Sequence, residues 1–158
     1  MIQKTMTGRS ESVRSGALAG AGPELIAIRL VGALLALAVS AVHVADQGGV
    51  TAFNSPDWIG WSYRLIEVGG VLTALAVFLP RPPWLGWAAG ALLGAGPFLA
   101  YLTSRSVGVP GDPGDVGNWG YWVGTVSLFI EAALIVLSVG MLLATRTRQA
   151  TVPVLTSA

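Results

Sequence analysis

Four stretches of the chain stay apolar for about twenty residues each, and the polar residues gather in the segments between them. They lie at 25–45, 58–79, 84–103 and 119–144. A helix needs roughly 20 mostly apolar residues to cross a bilayer core of about 30 Å. The pattern therefore predicts an all-α polytopic membrane protein, an antiparallel bundle of four transmembrane helices. Pro80, Pro82 and Pro83 cannot continue a helix, so the second and third spans should form a tight hairpin. Residues 1–22 and 147–158 show no packing pattern and read as flexible tails around a bundle at 23–146.

Each span also has one small or polar face at helical spacing. In the first it is Ala33, Ala36, Ser40 and His43. In the second, Arg64 and Glu67 lie a turn apart with Val71 and Ala74 beneath them. The third carries Gly86, Gly90 and Gly94, and that face continues through Pro97, Tyr101 and Arg105. The fourth offers Gly120, Gly124, Ser127, Glu131 and Ser138. Helices in lipid associate through small residues and polar contacts, so these faces should meet. The Gly86/Gly90/Gly94 stripe suits packing within the bundle, and the sequence leaves open its use in a homo- or hetero-oligomer.

Composition agrees with lipid as solvent: 53% of residues are hydrophobic and 11% charged, against about a quarter charged in soluble domains. Charge then sets the orientation. With the N-terminus inside, Lys4, Arg9, Arg14, Arg29, Arg81, Arg146 and Arg148 fall on the cytoplasmic side, and Asp46, Asp57, Asp112 and Asp115 fall outside. The expectation is a multi-pass plasma (inner) membrane protein with both termini cytoplasmic. Trp58, Trp84 and Trp119 open three of the spans, and Trp61, Trp87, Tyr121 and Trp122 follow within a turn, as an interfacial aromatic belt. A cleaved first segment ending LALAVSA at Ala41 is the competing reading, with Arg29 and a long leader against it.

Much chemistry is excluded. The absence of cysteine removes disulfides, iron–sulfur clusters and thiolate metal sites. A net charge of +1 with no basic patch gives nucleic acid no footprint. One histidine cannot supply a bis-histidine haem, and no nucleophile or triad signature is present. No cofactor is implied.

What remains is a set of intramembrane polar side chains. At 1.5 Å per residue, Glu131 lies about 18 Å below the outer end of its helix, Glu67 about 13 Å and Arg64 about 9 Å. His43 and Arg105 sit near the outer ends of theirs. Charges at such depths cost about 3 kcal/mol each on insertion scales. His43, Arg64, Glu67, Tyr101, Arg105 and Glu131 thus form a candidate buried polar network or ligand site. As a network, Arg64 or Arg105 would pair with Glu67 or Glu131. As a site, it would take a small anionic or polar ligand, a quinone or a lipid headgroup. His43, Glu67 and Glu131 could alternatively hold a metal or relay protons. The non-enzymatic reading is a binding or accessory subunit for a small ligand, lipid or partner protein, and the runner-up is a proton- or metal-handling carrier.

The connection YLTSRSVGVPGDPGDVGNWG, from Tyr101 to Gly120, is unusually dense in turn residues and should be an ordered cover over that cluster. Asn118 or Asp115 is placed to cap the fourth helix. YLTSRSVGVPG, then DVGNW and SLFIE, resembles a segment recurring in uncharacterised small four-span membrane proteins of actinobacteria. Those also carry a histidine near the end of the first span and a glutamate in the last. The resemblance covers about 29–143 and implies that His43, Arg105 and Glu131 share a site; it implies no activity. RLIEVGGVLTALAVFLP is also similar to DoxX-type bundles in composition and hairpin spacing.

Overall fold

The computed structural model describes residues 22–79 and 82–150, with side chains through Thr147. Of the expected flexible tails 1–22 and 147–158, residues 1–21 and 151–158, with Lys4, Arg9 and Arg14, lie outside the described residues, as do Pro80, Arg81 and the Arg148 side chain, while 147–150 is helical, contrary to expectation. The protein is all-helical: α1 Pro23–Asp46, α2 Asp57–Ala76, α3 Trp84–Ser106 and α4 Trp122–Ala150, with one 3-10 turn at Pro113–Asp115. Among the described residues the sole β feature is an isolated bridge between Val109 and Asp112. Three helices, α1, α3 and α4, are long and apolar enough to cross a membrane. The other, α2, has 20 residues and includes Asp57, Arg64 and Glu67.

Two compact units divide inside α1, at residues 1–31 and 32–158. Of the first, 22–31 is described; there the Leu25 and Ile26 N–H groups donate to the Gly22 carbonyl as the helix begins. The second unit holds the rest of α1, the other three helices and the candidate site.

Small residues decide the packing in this second unit. On α1 the buried positions after Val31 are Gly32, Ala33, Ala36, Val39, Ser40 and His43, the face expected from spacing plus two apolar neighbours. A side chain at Gly70 of α2 would run into Ser40 and the Ala36 carbonyl, so α1 and α2 touch almost backbone to backbone. Ser40 Oγ donates across that contact to the Glu67 carbonyl at 2.7 Å. The α3 stripe is consumed within the chain: a Cβ at Gly86 would lie 2.6 Å from the Val77 nitrogen, at Gly90 2.5 Å from Ser138 Oγ, and at Gly94 2.9 Å from the Glu131 carbonyl. The Gly86/Gly90/Gly94 face is therefore covered by the chain's own α2 end and α4.

Two expectations need correction. Trp87 is no belt residue: it is 2% exposed and lies against Gly32, where a Cβ would meet its ring at 2.7 Å. The missing side chain at Gly32 leaves the volume that the indole fills. On α2, Val71 faces out, and Gly70, Thr73 and Ala74 face in. The close approach at Gly70 sets that register, because only glycine fits against the α1 backbone.

Candidate functional site

The helix ends near the α1–α2 and α3–α4 connections border a partly open cavity of about 170 Å³. Val42, Ile59, Ile66, Pro97 and Val123 supply apolar wall, and Trp58, Tyr63, Tyr101 and Tyr121 supply aromatic wall. His43, Asp46, Arg105, Asp112, Asp115, Ser127 and Glu131 bring polar atoms to it. The space beside Tyr101 exists because α4 has Gly124 there; any Cβ would run into the phenol ring.

Glu131 lies deepest, at 1% exposure. Its Oε1 accepts from the hydroxyl of Ser127, one turn earlier on α4. Its Oε2 is buried and has no hydrogen-bond partner among the described residues. His43 faces it from α1, with Nε2 3.8 Å from Oε1. The other ring nitrogen, Nδ1, is 2.9 Å from the Val39 carbonyl. A carbonyl can only accept, so Nδ1 carries a proton and directs Nε2 toward Glu131.

Asp46, one turn beyond His43, accepts from the Tyr63 hydroxyl. Tyr121, just ahead of α4, has its phenol pushed up to about 12, first by its hydrogen bond to Asp46 and then by burial. It therefore stays a neutral phenol at ordinary pH, near the Asp46 carboxylate that Tyr63 holds directly. Tyr101 has its hydroxyl buried and unpartnered among the described residues.

The two arginines do not converge on Glu131, contrary to one of the pairings the spacing allowed. Arg64 donates from Nη1 to Glu67 Oε2 at 2.6 Å and from Nη2 to the Ala52 carbonyl. Glu67 also accepts from Gln47 Nε2. Neither Arg64 nor Glu67 lines the cavity. Arg105 pairs instead with Asp115 of the following connection. Its guanidinium lies 4.8 Å from the Tyr101 ring centroid and 5.9 Å from that of Tyr121. A short link explains the choice: the connection folds back so that the Gly117 N–H donates to the Arg105 carbonyl at 2.9 Å. This brings Asp115 to the guanidinium before any residue of α4 can reach it.

That connection is closely tied down. Gly108, Gly111 and Gly117 adopt φ near +82°, +85° and +80°, which other residues rarely reach. Trp58 Nε1 donates to the Pro110 carbonyl at 3.1 Å, and a Cβ on Gly111 would meet Pro56 at 2.8 Å. The expected capping does not occur. Because α4 begins only at Trp122, Asn118 is too far ahead to cap it, and Asp115 is occupied by Arg105.

His43, Tyr101, Arg105 and Glu131 thus come together at the cavity, and Arg64 and Glu67 form a separate cluster with Gln47. Sequence reasoning passed over Asp46, Tyr63 and Tyr121 as site residues. Asp46 had a legible signal, lying three residues after His43 on the same helix face; the tyrosines had none. Among the described residues no group of three His, Cys, Asp or Glu side chains could hold a metal ion. No protein family, curated protein or solved structure matches the chain.

Proposed function

We propose that this is a four-span membrane protein that binds a small ligand in the cavity beneath the α3–α4 connection, without catalysing a reaction. The observation that carries the reading is the unpartnered Oε2 of Glu131, buried beside the deep end of the cavity that its residue lines. A buried carboxyl oxygen without a partner costs about 1–3 kcal/mol, more if charged, and a ligand donor would remove that cost. The four-span arrangement draws support from the outward face of α2: Leu65, Val68, Leu72 and Leu75 are 57–75% exposed, as apolar as the faces of its neighbours. Arg64 and Glu67 leave α2 less apolar, but they are paired and turned inward.

In this reading both termini are cytoplasmic and the cavity opens outward, as the arginine asymmetry requires. The chain has no native cysteine, so single cysteines report cleanly. Gly114→Cys should react with an impermeant thiol reagent in intact cells, and Arg146→Cys should react only after permeabilisation. The reverse pattern would overturn the orientation.

Glu131→Gln tests the binding role. With no arginine near Glu131, the amide strands no charge, and Ser127 can still donate to its oxygen. Stability should fall by at most about 1 kcal/mol, and ligand retention in native mass spectra from mild detergent should be lost. A variant that keeps its co-purifying ligand would remove Glu131 from the site. A second reading, a proton-handling carrier, draws on the His43–Glu131 approach. It requires uptake or release of a proton on reconstitution into liposomes, abolished by His43→Gln, where simple binding requires neither.

A further inference from the structure

We infer that the ligand group recognised in this cavity is a small alkylammonium, carried either by a free amine or by an aminolipid headgroup. The inference rests on the binding reading above and adds the charge and shape of what binds. Its first ground is the balance of fixed charge. Asp46, Asp112 and Asp115 line the cavity together with the carboxyl of Glu131, and among the described residues Arg105 is the only arginine or lysine that does. That one guanidinium is already committed to Asp115 and covered by the rings of Tyr101 and Tyr121. His43 spends its Nδ1–H on the Val39 carbonyl. Arg64, which would have favoured an anion, is spent on Glu67 away from the cavity. An anion entering here would meet several carboxyl groups, with the Arg105 guanidinium already paired to Asp115.

The second ground is independent of the count. Glu131 lines the cavity at 1% exposure, and its Oε2 is buried with no hydrogen-bond partner among the described residues. An acceptor left open in a nearly dry site calls for a donor from outside, and an N⁺–H group forms the shorter, stronger bond. The third ground is the wall. Tyr63, Tyr101, Tyr121 and Trp58 surround the polar end, and aromatic faces attract ammonium groups most strongly when water is excluded. Val42, Ile59, Ile66 and Pro97 leave an apolar strip for a short alkyl chain.

The test uses a matched set of probes on the full-length protein in detergent: n-butylammonium, butyrate and n-butanol, read by thermal shift and by tryptophan fluorescence. A separate arm compares nanodiscs of pure phosphatidylglycerol with nanodiscs containing phosphatidylethanolamine. We expect butylammonium to raise Tm saturably and to change the fluorescence of Trp58, with butyrate inactive and butanol at least tenfold weaker. Glu131→Gln should weaken the ammonium response at least tenfold, and Asp46→Asn, which keeps the shape of the site, should weaken it several-fold. A response to butylammonium identifies a free amine as sufficient; a shift only with phosphatidylethanolamine identifies the headgroup, and either supports the inference. Butyrate binding as well as butylammonium would overturn it. So would equal binding of butanol that is lost in Glu131→Gln, although the cavity would then remain a binding site. No response to any probe in either arm would overturn the ammonium assignment, and the binding reading falls with it only if native mass spectra also show no ligand.

Discussion

Arg64→Ala should destabilise the protein by about 3 kcal/mol, the magnitude typical of removing one partner of a buried pair. Arg64 supplies a charged donor to Glu67 at 2.6 Å and holds the Ala52 carbonyl of the α1–α2 connection. Glu67 is only 9% exposed, so its carboxylate cannot rehydrate once the guanidinium is gone, and Gln47 alone does not neutralise it. Replacing both residues removes the stranded charge. The Arg64→Met/Glu67→Met double variant should therefore recover most of the loss in a detergent thermal melt. A single variant as stable as the parent, or a double variant as unstable as the single, would contradict this account of the pair.

Arg105→Ala should have its effect in a different place. The side chain is 6% exposed, but Asp115 is about one-third exposed and can take up water when its partner leaves. The stability loss is then smaller, about 2 kcal/mol, and arises as much from lost packing against Tyr101 and Tyr121 as from lost charge. What should change most is the connection itself. Hydrogen exchange at Val109 to Asn118 should accelerate at least tenfold, and exchange in the α1 segment 36–43 should not. Arg105→Lys should fail to restore protection, because an ammonium cannot lie flat against two phenol rings while reaching Asp115. Restored protection in the lysine variant would mean that charge alone holds the connection.

The arginines illustrate a general limit. Both are long side chains at helix positions from which several carboxylates come within reach, so spacing allows more than one pairing. Each ended on a partner close in sequence: Glu67 is three residues from Arg64, and Asp115 is ten from Arg105. Local partners close a smaller loop and lose less chain entropy. That leaves Glu131 without an arginine partner among the described residues, and its Oε2 without a hydrogen bond.

Several features were legible in the residues alone. Long apolar runs bounded by proline and glycine predict helices, and the described residues form four of them, three long and apolar enough to cross a membrane. The small-residue faces of α1 and α3, and that of α4 from Gly124 onward, could be read because glycine, alanine and serine at helical spacing mark where backbones approach; Gly120 lies ahead of α4, exposed and without a neighbour. Turn density also marked 107–120 as ordered, since each glycine at positive φ there has a purpose that other residues cannot serve. Only the tertiary structure decided the rest. The register of α2 depends on a single glycine meeting another backbone, the burial of Trp87 on a volume that Gly32 vacates across the interface, and the cavity on Gly124 facing Tyr101. Asp46, Tyr63 and Tyr121 come to one cavity from three separate segments. Contacts between surfaces distant in sequence follow shape, and shape is fixed by which side chains are absent from the facing helix as much as by those present.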